Sequence, residues 1–434
     1  MNVFKKIDIL YIVTLFFLLL SATANFLSFN NVAWFVILVF MLIVAASLKA
    51  MGVRELRYIA VFSAVYLGFV TIRDFWINSL DGNFFISDAI FLFKYILLAF
   101  VFVVILKGKA LAYIVKVTVH LTVISFFFFF IQVIGFGNAL YQFSQSLGLP
   151  NGVLLQGYAN FVIFTITVGR HDLANSGFLW EPGAFGCFLS LTLMFNLFLN
   201  GFRFERKSIV LIIGILTTFS TTTYLALLII FFLAYRVRVP KINKWFLLSI
   251  PALVLLFIGV PFLGTKIVTT YNEDMVDLTR MKFLEKFYHK QHSQIPLNRF
   301  ASMTYIYDAF TNKLILGVGN NYNDILNKKN DVNISNGIFD YIAKFGVVGF
   351  IVLMVTYLKL CYRYLAKAEL LVYCGVILLI VGFGEPVLHL PFILVFLFLP
   401  LVPVKKEKVG GEDESAEEDK EKSRTGKRRR KYVR

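Results

Sequence analysis

The sequence has 434 residues, 58% of them hydrophobic, and a mean hydropathy of +0.75. Ordinary soluble domains do not reach this apolar content, so that class is excluded. The formal net charge of +17 is typical of nucleic-acid-binding proteins, but the basic residues lie mainly in short loops between apolar runs and in the C-terminal segment. The charge therefore indicates orientation in a membrane, and we expect no nucleic-acid partner.

Apolar runs of nearly bilayer-spanning length recur along almost the whole chain, which predicts an all-α fold, a polytopic integral membrane helical bundle. Short basic loops between the runs are expected on the cytoplasmic side. Threading the chain between them places both termini inside and gives about twelve spans, over residues 7–27, 32–48, 57–72, 85–106, 111–136, 183–201, 208–219, 221–236, 245–263, 341–361, 369–384 and 389–404. The first run lacks a clean signal-peptide cleavage site and is interpreted as a retained helix.

The stretch from Ser208 to Tyr235 is unusual because it lies between two basic clusters and must cross the membrane an even number of times. It is too short for two full spans. The polar run from Ser220 to Thr223 at its centre predicts two short helices that meet below the membrane surface, enclosed by protein or lining a wet cavity. The alternative is one long span whose hydroxyl groups bond to its own carbonyls.

Two larger segments are expected on the outer side of the membrane. Residues 137–182 are polar and irregular, with one amphipathic stretch near Tyr158–Val168. Residues 264–340 form a large periplasmic loop. Within it, the apolar residues of Arg299–Phe310 recur every three to four positions, which predicts an amphipathic helix. The glycines and asparagines of 317–321 predict a turn.

The chain after Val404 is a block of mixed charge that cannot bury a core. We therefore expect a polytopic membrane domain over residues 1–404 and a disordered cytoplasmic tail over residues 405–434. The basic run Arg428–Lys431 could contact anionic lipid headgroups. A merely solvated tail is the alternative.

Several functional classes are not indicated by the sequence. It contains no Walker A loop and no Rossmann glycine pattern. The three cysteines and the pair His289 and His292 do not suggest a metal site, so we interpret the cysteines as structural thiols and the histidines as surface residues. We expect no metal and no cofactor, and neither an ATP-driven pump nor a voltage-gated channel.

The polar residues that the predicted topology collects at the outer surface form a candidate site. Arginine suits a phosphate or pyrophosphate group because its planar fork binds two oxygens at once. A neighbouring carboxylate or imidazole could take a proton from a sugar hydroxyl. Together these groups suggest transfer from a lipid pyrophosphate. The candidate substrate-binding residues are Arg73, Arg170, Arg299, Asn320 and Asn321, and the candidate catalytic residues are Glu181, Glu385 and His389.

The stretch RHDLANSGFLWEPGAFG, from Arg170 to Gly186, is the most informative part of the chain. Its Glu181 lies where a polar loop turns into an apolar helix, and charged groups near hydrocarbon are costly. A functional carboxylate is one interpretation. The other is that Pro182 begins a helix and Glu181 only favours the positive N-terminus of that helix.

Five motifs in this order resemble the O-antigen polymerase and ligase superfamily, the Wzy-type membrane glycosyltransferases. They are GFLWEPGAFG before an apolar helix, the short-helix pair ILTTFSTTTYLALLII, the loop sequence LNRFASMTYIYDAFTNKLILGVGNNYN, NGIFDYIAKFGVVGF, and the terminal EPVLHLPFILVFLF. The resemblance covers about residues 150 to 403. The first five spans match only in general character.

The resemblance implies a helical membrane bundle with a large periplasmic loop above a cavity for lipid pyrophosphate. It implies transfer of a glycan from undecaprenyl pyrophosphate without a metal or a nucleotide sugar. Arg170 and Arg299 would hold the pyrophosphate, and Glu181 would shape or activate the acceptor site. Glu385 and His389 would lie near the same cavity.

Two positions depart from the pattern of the superfamily. Thr221 stands where members often have an arginine after the serine of the short-helix break. Ser335-Asn336 stands where the ligase branch typically has a His-Asn pair. The second departure favours a polymerase over a ligase.

The sequence thus predicts an inner-membrane polymerase that joins undecaprenyl-pyrophosphate-linked repeat units into O-antigen, capsule or exopolysaccharide on the periplasmic face. Membrane lipids and a chain-length regulator protein are the expected partners. An O-antigen ligase or protein O-oligosaccharyltransferase would use the same donor. A lipid-linked oligosaccharide flippase is the alternative from another class, although the chain has no visible inverted repeat.

Overall fold

The computed structural model describes residues 8–77, 82–149, 157–169, 173–239, 264–281, 295–327, 332–365 and 367–402. Four sequence predictions lie outside these ranges: the substrate-binding candidate Arg170, the interpretation of His289 and His292 as surface residues, the span at 245–263, and the tail at 405–434.

Helices make up most of the described residues. The first half of the chain contains α1 Ile9–Leu20, α2 Phe26–Phe29, α3 Asn31–Ser47, α4 Val53–Ile77, α5 Gly82–Phe91, α6 Leu97–Leu106, α7 Ala110–Ile131 and α8 Gly137–Ser146. The second half contains α9 Pro182–Leu199, α10 Arg206–Thr217, α11 Thr221–Arg238, α12 Gly264–Thr279, α13 Arg299–Phe310, α14 Tyr322–Asn327, α15 Gly337–Leu365, α16 Leu371–Gly384 and α17 Pro391–Leu394. The short strands are β1 Tyr158–Asn160, β2 Thr165–Thr167, β3 Ile295–Leu297 and β4 Val332–Ile334.

Five helical stretches of the described residues are long and apolar enough to cross a membrane: Val53–Ile77, Gly82–Ser146, Pro182–Leu199, Thr221–Arg238 and Gly337–Leu365. Shorter apolar helices occur at Ile9–Leu20, Asn31–Ser47, Ala368–Gly384 and Pro391–Leu401. The prediction of a helical membrane protein is therefore confirmed, while the number of twelve spans and the sidedness of the loop remain predictions.

The two ends of the bundle are less regular than predicted. The first predicted span is divided, because α1 ends at Leu20 and the Asn25 side chain donates to the Leu19 carbonyl at 2.6 Å before α2 begins. The last predicted span, 389–404, is a series of short helical turns over Pro391–Leu401. Pro391 is at the first position of α17, where a missing N–H is harmless, whereas Pro400 cannot continue the preceding turns as a regular helix.

Helix α9 is the centre of the bundle. Every side chain from Ala184 to Phe198 is buried, as expected for a helix that is apolar on all faces. It packs against α7, α10 and α11. Its first residue is Pro182, whose missing N–H is harmless at a helix start. Glu181 therefore lies at one end of the most enclosed helix.

The predicted break in this stretch is present, but only the first helix is short, because α11 has 18 residues and is long enough to cross a membrane. Helix α10 ends at Thr217 and α11 begins at Thr221, with a break in which Phe219 has a φ of +49°. The hydroxyl groups of Thr218 and Thr223 lie 3.2 Å apart across the break. Both helices pack on α9, so the break faces the start of that helix.

The amphipathic stretch predicted near Tyr158–Val168 forms a hairpin. Strands β1 and β2 pair antiparallel, with Ala159 opposite Ile166. The Asn160 side chain accepts a hydrogen bond from the Val162 backbone at 2.7 Å and stabilises the turn.

The described part of the insertion, residues 264–336, has a small core of its own. Strands β3 and β4 pair in parallel, with Ile295 opposite Val332 and Leu297 opposite Ile334. Their side chains pack with α13, which occupies the predicted range Arg299–Phe310. This core contacts one end of the helical bundle. We call that end the insertion side.

Two glycines join the insertion to α15. Gly346 has a φ of +72° and bends α15, while Gly317, with a φ of +77°, packs directly on the Gly346 backbone. The Val318 N–H donates to the Ala343 carbonyl at 2.6 Å beside this contact. A side chain at either glycine would collide with the facing backbone, so the predicted turn at 317–321 needs both.

Candidate functional site

Four segments meet on the insertion side of the bundle. Gly183 in the first turn of α9 lies against the Glu385 side chain, and Gly384 at the end of α16 lies against Thr222 of α11. Gly186 of α9 lies against Thr223. Arg299, the first residue of α13, bonds to the end of α16. These small residues allow close backbone approach, so that the ends of four helices converge around Arg299.

The Arg299 side chain is held from one edge. Its Nε donates to the Gly384 carbonyl at 2.7 Å, and its Nη2 donates to Glu385 Oε1 at 2.9 Å. The side chain is 33% exposed, whereas the Glu385 side chain is 3% exposed. The guanidinium is therefore oriented by its partners and still reaches solvent.

Two carboxyl groups flank this guanidinium. Glu385 is enclosed, and Glu181 is half-buried and accepts a hydrogen bond from Trp180 Nε1 at 3.0 Å. Burial raises the pKa of Glu385 well above its usual range, and the neighbouring Glu181 carboxyl adds to this effect while Arg299 opposes it. The two carboxyl groups therefore share one guanidinium, and Glu385 is the one bonded to it.

The parallel strands explain why Arg299 lies beside the start of α15. Strands β3 and β4 end at the same edge, and each is followed within two residues by a helix. Asn336 Nδ2 donates to the Arg299 carbonyl at 3.1 Å, and its Oδ1 accepts from the N–H groups of Ile338 and Phe339. Asn336 thus caps α15 and holds the backbone of Arg299.

Ser335, the first of the two residues at the departure from the ligase pattern, also has a structural contact. Its hydroxyl donates to the Leu297 carbonyl at 2.8 Å. Its N–H donates to the Ser302 hydroxyl at 3.0 Å. These bonds connect β3, α13 and the start of α15, so position 335 stabilises the base of the insertion.

His389 belongs to a second polar cluster, one helical turn along α15. Its Nδ1 lies 3.1 Å from Asp340 Oδ2 and 3.3 Å from Lys344 Nζ. Lys344 Nζ also donates to Asp340 Oδ2 at 2.9 Å, and Tyr322 Oη donates to Asp340 Oδ1 at 2.7 Å. All four side chains are buried or nearly so, and His389 is the most exposed of the three charged or titratable groups around the carboxylate, at 18%.

Arg73, Asn320 and Asn321 lie in a third cluster, in which Arg73 is fully buried and the two asparagines are half-buried. Arg73 bonds to Asp74 at 2.9 Å, to Asp88, and to the Lys344 carbonyl at 3.2 Å. The Asn320 amide donates to Asp88 Oδ1 at 2.8 Å. Asn321 Oδ1 accepts a hydrogen bond from the Ser87 hydroxyl at 2.6 Å. These contacts connect α4 and α5 to the turn of the insertion.

The structure therefore divides the predicted site residues into groups. Glu181, Arg299 and Glu385 lie together where the helix ends converge, and His389 follows Glu385 by four residues. Arg73, Asn320 and Asn321 lie in the third cluster, where Arg73 and Asn320 both bond to Asp88. Arg170 lies outside the described residues. Substrate contact by any of them remains a prediction.

Sequence reasoning did not include Asp88, Tyr322, Asp340 and Lys344 among the candidate site residues. The i,i+4 spacing of Asp340 and Lys344 was a visible signal of an ion pair. In the described ranges, no group of three or more His, Cys, Asp or Glu side chains is arranged to hold a metal ion.

Residues 208–354 match the family model described as O-antigen ligase. The match includes the short-helix pair, Arg299, Asp340 and Lys344, and it ends before Glu385 and His389. No curated protein and no solved structure matches the chain. The family match confirms the resemblance to the O-antigen polymerase and ligase superfamily.

Proposed function

We propose that this chain, whose residues 208–354 match the family model described as O-antigen ligase, is a membrane glycosyltransferase of the polymerase type. It would join undecaprenyl-pyrophosphate-linked repeat units into O-antigen, capsule or exopolysaccharide on the periplasmic face of the bacterial inner membrane. The observation that carries the proposal is the oriented, partly exposed Arg299 guanidinium beside two carboxyl groups at converging helix ends.

Arg299 is the proposed donor-binding group. Its Nε and Nη2 are occupied by Gly384 and Glu385, and its Nη1 has no hydrogen-bond partner among the described residues. A pyrophosphate oxygen would bind at that free edge. The N-termini of α9 and α11 lie at the same pocket and add a favourable field for an anion. Arg170 is proposed as the second cation.

Glu181 is proposed to orient the acceptor sugar. Its carboxylate is half-buried next to the Arg299 pocket and is fixed by one hydrogen bond from Trp180. The remaining lone pairs can accept hydrogen bonds from sugar hydroxyl groups. Glu385 is proposed to hold Arg299 in place, since the two side chains are bonded at 2.9 Å.

Ser335 supports the polymerase over the ligase. A histidine typical of the ligase branch is replaced by a hydroxyl that bonds to the β3 backbone. The ligase remains the second candidate because the matching family model is described as O-antigen ligase. A polymerase and a ligase would use the same lipid-linked donor in the same membrane environment. A polymerase would in addition have a chain-length regulator protein as a partner.

Deletion of the gene and electrophoresis of surface polysaccharide test the proposal. If the chain is a polymerase, only single repeat units should reach the surface of the deletion strain. The full-length gene should then restore the ladder of longer chains on the gel. Unattached long chains would instead identify a ligase. Lipid-linked repeat units trapped on the cytoplasmic side would identify a flippase.

A further inference from the structure

Lys94 lies at the centre of a continuous helical run from Gly82 to Leu106, within the π-helical turn Leu92–Ile96 that joins α5 to α6. The run belongs to a stretch that is long and apolar enough to cross a membrane. Lys94 is about 18 Å along the helix axis from either end of the run. A lysine near the end of a spanning helix reaches the lipid headgroups unaided, but Lys94 is near neither end.

Lys94 has no acidic partner among the described residues, because none of the ion pairs found there includes it. Its Nζ donates one hydrogen bond, to Asn31 Oδ1 at 2.6 Å. An ammonium group has three donors, so two of them stay free. In contrast, Lys344 in the apolar helix α15 is bonded to Asp340 at 2.9 Å. The charge of Lys94 is therefore not balanced from within the described part of the chain.

The first turn of α3 orients the Lys94 ammonium group. Asn30 caps α3, since its Oδ1 accepts hydrogen bonds from two backbone N–H groups of that turn. The side chain of Asn31 is consequently available to Lys94, and its Nδ2 has no hydrogen-bond partner in the described ranges. Trp34 follows on the same face of α3, and its ring centroid lies 5.9 Å from Lys94 Nζ. Free N–H donors of Lys94 and Asn31 thus lie side by side.

This group lies on the outer surface of the bundle. Ile90, one helical turn before Lys94, is exposed, and so are the neighbouring Phe93 and Val32 of α3. Asn31 is exposed as well, and Lys94 is half-buried. Exposed apolar side chains on membrane-spanning helices contact lipid. A lipid molecule can therefore reach the free donors from the side of the bundle.

The length of α3 brings lipid headgroups close to these donors. Helix α3 has 17 residues, which makes it about 25 Å long, whereas the hydrocarbon core of a bilayer is about 30 Å thick. A helix that is shorter than the hydrocarbon core thins the bilayer around it. The polar start of α3, Asn30 and Asn31, is then at the level of the headgroups. Lys94 extends to Asn31 and reaches the same level.

We propose that Lys94 and Asn31 bind the phosphate group of an anionic phospholipid, with the Trp34 ring beside the ammonium group. The free N–H groups of Lys94 and Asn31 donate to the phosphate oxygens, and the lipid supplies the negative charge that Lys94 lacks. A zwitterionic phospholipid fits less well, because its own cation is repelled by Lys94. The contacts of Lys94 are with α3, not with Arg299 or Glu385, so this site is additional to the proposed donor site.

The structural alternative is that Lys94 only joins α3 to the α5–α6 run through its hydrogen bond to Asn31. A neutral glutamine at position 94 can donate the same kind of bond. The two roles therefore differ in whether the positive charge is required.

Native mass spectrometry of the full-length protein in detergent, titrated with phosphatidylglycerol, measures the Kd of the first bound lipid. Lys94→Gln keeps a donor for Asn31 and loses the charge, so this Kd should rise at least about tenfold. Lys94→Arg keeps the charge and should stay within about threefold of the wild type. Lys359→Gln is the matched control, because it removes an exposed lysine from α15, another helix of spanning length, and should leave the Kd unchanged.

Asn31→Asp tests the site without changing Lys94, and it keeps the test valid if Lys94→Gln does not fold. The new carboxylate would pair with the ammonium group, so phosphatidylglycerol should bind at least about tenfold more weakly. If Lys94 only joined the two helices, Asn31→Asp would preserve that contact and leave the Kd unmoved.

A rise of the Kd in Lys94→Gln and Asn31→Asp, but not in Lys359→Gln, supports the inference. An unchanged Kd in both site variants would overturn it, as would an equal rise in Lys359→Gln or equally tight binding of phosphatidylcholine to the wild type. Undecaprenyl pyrophosphate is titrated in parallel. If its binding depends on Lys94 and that of phosphatidylglycerol does not, the assignment to a phospholipid is wrong. None of these measurements uses polymerisation, so their outcome is independent of the proposed function.

Discussion

Arg299 is the residue on which the proposed donor site depends. Arg299→Ala should abolish polymerisation while the protein still inserts, because the free edge of the guanidinium is lost from the pocket. Arg299→Lys should restore little activity, since an ammonium group cannot bond Gly384, Glu385 and an anion with one planar fork. Polymer length on a gel is the measurement, with exposed Arg280→Ala as the control. Normal chain lengths in Arg299→Ala would remove the donor role.

A substitution at Glu181 distinguishes a functional role of its carboxylate from a structural one. Glu181→Gln keeps the size of the side chain and an acceptor for Trp180, but it loses the charge. We expect a sharp loss of chain formation with little change in expression, and no loss in the exposed control Glu273→Gln. If Glu181 only favours the start of α9, the change would cost about 0.3–1 kcal/mol of stability and leave polymer length unchanged.

The raised pKa of Glu385 predicts that the stability of the protein depends on pH. Its pKa in the folded protein lies above the unfolded value of about 4.3, so the folded state binds the proton more tightly. The contribution of this group to the free energy of unfolding is therefore present below the unfolded pKa and falls as pH rises towards the folded pKa. Glu385→Gln should flatten this part of a thermal-unfolding profile recorded in detergent. An unchanged slope would contradict the raised pKa.

At the scale of elements, the contact between the insertion and α15 is the most demanding backbone arrangement. Gly346→Ala should destabilise the protein by about 1–3 kcal/mol, because φ is +72° and the added Cβ would meet the backbone of Ile315 and Leu316. Gly68→Ala in α4 meets no atom within 4 Å and is the matched control. Thermal unfolding distinguishes the two variants. Equal stability would mean that the turn repacks freely.

Elements with a strong periodic or charge signal were predictable from the sequence. The helix at Arg299–Phe310 and the helix break around Ser220 follow from apolar spacing and from the positions of basic loops. The parallel pairing of β3 with β4 was not predictable, because each strand has only three residues and its partner is 37 positions away. That pairing brings Arg299 to Asn336, so the local environment of the site could not be derived either.

Several residues of the candidate site were predictable from their residue type and position. Which of them lie together in the structure was not predictable. Glu181, Glu385 and Arg299 were recognised as polar groups near an apolar boundary, and the structure brings them together. Arg73 has the same sequence signal, yet it is fully buried between Asp74 and Asp88. Sequence position does not reveal which arginine has its partners supplied from within the protein.

At the scale of the whole molecule, the account requires the insertion and the C-terminal tail to lie on opposite sides of the membrane. Reporter fusions after Lys313 and after Lys408 should give opposite sidedness, with the first outside, because the basic loops alternate along the chain. Fusions after Lys207 and Arg238 serve as internal controls for the cytoplasmic side. The same sidedness at Lys313 and Lys408 would contradict the periplasmic placement of the pocket.

The central claim is that the chain alone extends lipid-linked repeat units. Its most direct test is incubation of the full-length protein, in liposomes, with lipid-linked single repeat units and no other acceptor. The wild-type protein should produce a ladder of longer lipid-linked chains and release undecaprenyl pyrophosphate. The Arg299→Ala variant should produce no ladder. Single repeat units that remain unextended by a folded wild-type protein, or that are transferred only when a different acceptor is added, would contradict it.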